Sequence, residues 1–295
     1  MHVDLLDAKT TWNNETGFLR VPFNGAIIVC ALRLKGSQWY WLGGSKTSNV
    51  PVSNTGDWPG DRVSAALWQS SQQPTDATFD VIMFSGFGPN TTNPNDYIVV
   101  EDTWVISISV DIMKAPVAKL LPYDVAGPPA RIAANAWSYP GTGNLSNVHW
   151  LFGGWNSSNS FWSGVSYADL WSFTYDSHKS TIKWHQYVPG KEQQWSEPRH
   201  GAASWVVPKG KDGLRAYIFG GATFNQSKLA MRNDLWRLDM ISQKGGSEWT
   251  VEWKQLQALQ AQSRFQTPGV LLGIPTPSWQ PQARMYSSAW VTVAE

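Results

Sequence analysis

The chain has 295 residues, of which 42% are apolar and only 15% charged, with a net charge near +1 and one cysteine. That balance supports a packed core rather than disorder. It gives no reason to expect nucleic acid or an anionic membrane as partner, and it excludes both a disulfide framework and a cysteine-based zinc site. No run of about 18 apolar residues occurs, so no direct membrane insertion is expected.

Residues 3–14 read as two short strands, the outer half of a repeat whose inner half is absent. The start, Met1-His2-Val3-Asp4, shows no basic stretch followed by an apolar one, so no secretory leader is read there. Asn24 to Leu34 and Gln38 to Leu42, ending at Gly43-Gly44, read as two strands joined by a turn at Lys35-Gly36. Cys30 sits in the apolar run Ala26 to Leu32, where a buried inert thiol is expected.

From residue 60 onward two rulers organise the chain. The first is an arginine with a tryptophan six residues later: Arg62 and Trp68, Arg131 and Trp137, Arg199 and Trp205, Arg284 and Trp290, with small residues between. An even spacing puts Arg and Trp on one face of an inner strand. The second is an apolar strand ending in Gly153-Gly154 or Gly220-Gly221, followed by Asp169-Leu170-Trp171 or Asp234-Leu235-Trp236. A weaker copy runs from Val81 through Ser85-Gly86 to Asp102-Thr103-Trp104. Self-similarity at a fixed period signals a repeat architecture. Each full repeat reads as four strands, and the units fall at 20–58 (truncated), 62–115, 131–187, 199–256 and a split unit from 284–295 plus 1–14. Gln255 to Ala261 reads as two helical turns, and the proline-rich remainder up to Gln282 as loop.

Gly-Gly, then Asp-Leu-Trp, then Trp, then Pro198-Arg199-His200-Gly201-Ala202 together resemble the kelch repeat. The resemblance implies an all-β propeller of four-stranded antiparallel blades, about five blade-like units here with incomplete ones at both ends. The alternatives are a domain closed by pairing the two termini and an arc of a larger propeller. The repeat spans about 67 residues rather than the family's ~50, so its loops are long. The family's copper oxidases need a cysteine–tyrosine crosslink and histidine ligands. Here Cys30 is alone, and His2, His149, His178, His185 and His200 follow no metal-ligand spacing. The family's iron-dependent specifier proteins need a Glu-x-x-x-Asp-x-x-x-His pattern that this sequence lacks. No cofactor, metal or catalytic residue is therefore assigned.

The resemblance implies a noncatalytic interaction module, a monomer or part of a longer multidomain chain, binding a protein or glycan partner through loops at one propeller face. Trp155, Trp162, Phe224 and Trp279 are the candidate rings of that face. Arg62, Arg131, Arg199 and Arg284 either join them as ligand contacts or pair structurally with the Asp of Asp-x-Trp. The alternative function is a propeller-based carbohydrate-active enzyme or lectin using loop carboxylates. Five Asn-x-Ser/Thr sequons, at Asn14, Asn90, Asn144, Asn156 and Asn225, favour an extracellular glycoprotein.

Overall fold

The apolar runs of this chain form strands because glycine, proline and short polar residues punctuate them every few positions. The computed structural model describes residues 22–23, 26–27, 31–35, 38–43 and, with short interruptions, 58–257. Residues 3–14, Trp162, Asn144, Trp279 and Arg284 lie outside the described residues, as does the split unit at 284–295. Two compact units divide the chain, 1–123 and 124–295.

In the first unit β1 (Pro22–Phe23) pairs with β2 (Ala26–Ile27), and β3 (Ala31–Lys35) with β4 (Gln38–Gly43), with Lys35 opposite Gln38. A four-stranded sheet follows, built from β5 (Ala66–Gln69), β6 (Thr78–Phe84), a hairpin of β7 (Phe87–Pro89) and β8 (Tyr97–Val99) set apart from it, then β9 (Thr103–Ser109) and β10 (Val117–Leu120). The sheet order is β10-β9-β6-β5, all neighbours antiparallel. Its fourth strand ends at Leu120, beyond the limit of 115 expected from the sequence.

The second unit repeats the plan twice. The first copy contains β11 (Asn135–Ser138), β12 (Val148–Phe152), the hairpin β13 (Trp155–Ser160) with β14 (Ser163–Ser166), β15 (Leu170–Asp176) and β16 (Thr181–Tyr187). The next contains β17 (Ala203–Pro208), β18 (Gly213–Phe219), the hairpin β19 (Ala222–Asn225) with β20 (Lys228–Met231), β21 (Leu235–Gln243) and β22 (Glu248–Gln257). The sheets run β11-β12-β15-β16 and β17-β18-β21-β22. The fold is therefore all-β with repeated four-stranded antiparallel sheets, the form of propeller blades.

Burial explains the sequence of each strand. The second strand of a blade is covered on both faces, so β12 (Val-His-Trp-Leu-Phe) is buried at every position. The fourth strand is an edge, and β16 alternates exposed and half-buried residues. Between the two blades of the second unit, Trp137, Val148, Trp150 and Phe152 pack on Leu214, Ala216 and Ile218 in one core. Trp249 meets Trp150 edge-on with centroids 5.2 Å apart, and Trp253 meets Phe152 at 4.7 Å. Each such ring contributes about 1.5–3 kcal/mol by leaving water, and among the described residues Trp68, Trp104, Trp137, Trp150, Trp155, Trp171, Trp236 and Trp253 are buried. In the first unit, Val81, Ile106 and Ile108 of one sheet form a smaller core with Trp58 and Phe79.

Two expectations need correction. Gln255, Leu256 and Gln257 extend β22 rather than start a helix, because they continue the pairing with β21 as far as Leu235. The arginine and the tryptophan six residues later are not on one regular strand. Ser64, Ala133 and Gly201, two residues after each arginine, have φ of 57°, 54° and 61°, and the strand begins only beyond them. A left-handed residue breaks the period of two on which the even-spacing argument relied.

Candidate functional site

The site starts from the glycine pair. Gly153 and Gly154 have φ of +65° and +100°, a turn that drives the chain out of β12 and into its hairpin. In the first unit Ser85 occupies the first of these positions at φ 58° and donates its hydroxyl to the Val100 carbonyl at 2.6 Å. The small residues after each arginine have their reason here. A Cβ on Gly154 would lie 3.0 Å from the Ala134 Cβ, and one on Gly221 3.0 Å from that of Ala202.

Under each turn lies the same clamp. Arg131 Nη1 and Nη2 donate to the Asp169 carboxylate at 2.5 and 2.8 Å, Nη1 also donates to the Gly153 carbonyl at 2.9 Å, and Nε donates to the Pro129 carbonyl at 3.0 Å. Arg199 repeats this with Asp234, Gly220 and Glu197, and Arg62 with Asp102, Ser85 and Gly60. The tryptophan two residues after each aspartate completes it, with the indoles of Trp104, Trp171 and Trp236 donating to the carboxylate at 2.9, 2.7 and 2.6 Å. Burial alone pushes the Asp234 carboxyl up, but Arg199 and the Trp236 indole more than offset this and hold it below the usual carboxylate range. The side chains of Arg62, Arg131 and Arg199 have no exposed surface. In this structure they pair with the aspartates of Asp-x-Trp and present nothing to a ligand.

What the clamps support is a β-hairpin inserted between the second and third strands of each of these blades: β7–β8, β13–β14 and β19–β20. These hairpins account for the long repeat, and no common residue pattern marks them in the sequence. In the second unit the two hairpins touch through β14 and β19. Trp155, His200 and Phe224 stack there with centroids 5.2–5.6 Å apart. Ser166 bridges the hairpins, sharing a 3.2 Å hydrogen bond with His200 Nδ1 and accepting from the Phe224 amide at 3.0 Å. Burial lowers the His200 pKa to about 4, so the ring is neutral near pH 7.

Trp155 is thus a buried joint and not an exposed binding ring, because its indole is only 2% accessible. Phe224 is half-buried and packs in the same stack. The connection into Arg199 does reach the hairpin end of the blade: the Gly154 amide donates to the Arg199 carbonyl at 2.8 Å, and the Arg199 amide to the Tyr167 carbonyl at 3.1 Å. Exposed there are Val165, at 62%, and Glu197, which pairs with the half-buried Arg232. Tyr167 lies 4.2 Å from the Arg131 guanidinium carbon and covers that clamp. In the first unit, Tyr97 and Ile98 are the exposed apolar residues of hairpin β7–β8. Sequence reasoning missed Val165, Tyr97 and Ile98. Their signal was a short apolar stretch between the glycine pair and Asp-x-Trp. Among the described residues, no group of three or more His, Cys, Asp or Glu side chains could hold a metal ion.

No protein-family model matches this chain, and no curated protein matches it. Among solved structures it is similar to a chain of the cryo-EM structure of RAG in complex with one melted RSS and one unmelted RSS. The TM-score is 0.48 at 14% identity, covering 77% of this chain and 59% of that one, which is less than two thirds of that chain's length.

Proposed function

We propose that the chain is a kelch-type, noncatalytic interaction module that binds a protein or glycan partner through the hairpin-bearing ends of its blades. The observation that carries this reading is the hairpin inserted at the same point of each of three blades, each rooted on a buried Arg–Asp clamp. A rigid base under a projecting loop lowers the ordering cost of binding. Apolar side chains left exposed on such loops offer contact area to a partner. Val165 is the anchor of this reading in the second unit, with Asn156 and the Glu197–Arg232 pair as polar neighbours, and Tyr97 is the anchor on the hairpin of the first unit.

A photo-crosslinking residue placed at position 165 tests it in cells, against the same residue at 179. Lys179 lies in the turn between β15 and β16, at the other end of the blade. Adducts to a defined partner at 165 and none at 179 support the reading. Equal yields at both positions overturn it for proteins. A glycan array probed with wild type and Val165→Asp then decides the glycan branch, where a bound glycan lost on substitution is the supporting result.

A further inference from the structure

On one face of the last described blade, midway along its strands, basic side chains gather around one carboxylate. Asp239 on β21 is buried. It receives Arg215 Nε at 2.6 Å and Nη2 at 3.1 Å, together with Lys209 Nζ at 2.7 Å. These three bonds occupy both carboxylate oxygens. Arg237 comes no closer than 3.3 Å, and its Nε is buried with no acceptor among the described residues. Directly opposite Arg237 on β22 stands Lys254, and opposite Asp239 stands Glu252. Like charges placed opposite one another oppose pairing. The patch therefore holds Lys209, Arg215, Arg237 and Lys254 against Asp239 and Glu252, a surplus of two positive charges.

The neighbouring blade of the same unit carries a different set of residues at these positions. By register, Arg215, Arg237 and Asp239 correspond to Val148, Ser172 and Thr174. Val148 and Ser172 are buried, and Val148 belongs to the core between the two blades. Here charged groups replace those small and apolar ones, and Lys209, Arg215 and Arg237 keep 29%, 28% and 22% of their side-chain surface open.

We infer that this patch is a phosphate-binding site. A phosphate dianion matches the surplus charge and offers acceptors to the solvent-facing part of the Arg237 guanidinium, whose one ion pair, with Asp239, is long at 3.3 Å. It also suits a guanidinium, whose fork pairs with two oxygens at once, with a lysine as a further point charge. The phosphate could be carried by a phosphorylated protein side chain or by a small phosphate ester. The site lies on the face of the blade and not on its hairpin, so it stands or falls separately from the function proposed above.

The test uses the full chain and inorganic phosphate, titrated at constant ionic strength against chloride and followed by thermal shift and by phosphorus NMR line broadening. The expected result is saturable stabilisation by phosphate but not chloride, weakened at least tenfold in Arg237→Gln and in Lys209→Gln and unchanged in Lys179→Gln. Lys209→Gln removes a partly exposed group and keeps the test valid should Arg237→Gln fold poorly. A phosphoserine peptide binding at least tenfold more tightly than inorganic phosphate, with its unphosphorylated form inert, assigns the source to a protein; equal affinity assigns it to a small ester. Phosphate and chloride acting alike, or both variants binding as wild type, would overturn the inference.

Discussion

Arg199 and Asp234, 35 residues apart in sequence, meet through two hydrogen bonds of 2.9 Å with the guanidinium wholly buried. Removing one partner of such a pair strands the other charge away from water. Arg199→Ala should therefore cost about 3–5 kcal/mol in urea-induced unfolding. Arg199→Lys keeps the charge but loses the fork that reaches Asp234 and the Gly220 carbonyl together, and should fall between wild type and alanine. A cost below about 1 kcal/mol for Arg199→Ala, the range of an exposed pair, would remove the clamp from the account of stability.

The turn above the clamp gives a second prediction. A Cβ at Gly153 would sit 2.5 Å from the Arg199 carbonyl oxygen, at a φ of +65°. Backbone strain in the left-handed region costs about 1–3 kcal/mol, and here the clash adds to it. Gly153→Ala should lower stability by at least about 2 kcal/mol. Ser85, at the equivalent turn, already carries that strain and offsets it with its bond to Val100. Ser85→Gly relieves one and loses the other, so it should change stability by less than about 1 kcal/mol. Thermal melts of the two variants side by side decide the point.

Two buried histidines set the acid behaviour. Burial lowers His149 to about 3 and His200 to about 4, while an unfolded chain titrates near the ordinary value of about 6.5. Between these values the unfolded state binds more protons than the folded one. Stability is therefore fully present above about pH 6.5 and is lost as the pH falls towards the folded values, at up to about 1.4 kcal/mol per pH unit for each ring. Asp234 adds a loss in the same direction at lower pH, below about 4, because its folded pKa lies under its unfolded one. Urea midpoints from pH 7 to 4.5 should fall steadily in wild type and more shallowly in a His149→Gln, His200→Gln double variant. Parallel slopes would show that neither ring is neutral in the fold.

Much of this was legible in the sequence because the clamp uses residues at fixed offsets. Gly153-Gly154, Asp169 and Trp171 recur as Gly220-Gly221, Asp234 and Trp236, and a chain that repeats its hydrogen-bonding groups must repeat its strands. The hairpins were not legible. Phe87-Gly88-Pro89, Trp155-Asn156-Ser157 and Ala222-Thr223-Phe224 share no pattern, since only backbone pairing is needed to make them. The arginines misled for a local reason: Ser64 and Ala133 adopt positive φ without being glycine, which no spacing argument detects. The patch around Asp239 was invisible because Lys209 reaches it from the β17–β18 connection and Arg215 from β18. Trp155, expected as an exposed ring, is buried because the neighbouring blade brings His200 and Phe224 over it.

The sequons differ in their surroundings, and that difference is testable. Attachment of a glycan requires the asparagine side chain to reach an enzyme in solvent. Asn90 is half-buried in the connection just beyond β7, outside any paired strand, and its side-chain carbonyl accepts from the Thr92 amide and hydroxyl at 3.1 Å each. Asn156 lies within β13 opposite Val165 and is half-buried. In a glycosylating host, with the chain directed to the secretory route by an added leader, Asn90 should be occupied and Asn156 largely bare. Peptide mapping after deglycosylation in heavy-oxygen water reads both sites at once. Higher occupancy at Asn156 than at Asn90 would contradict the placement of Asn156 in a paired strand. It would also put a bulky sugar on hairpin β13–β14, across from Val165, and so count against that hairpin as a surface for a protein partner. An unoccupied Asn90 in secreted protein would count against the extracellular reading drawn from the sequons.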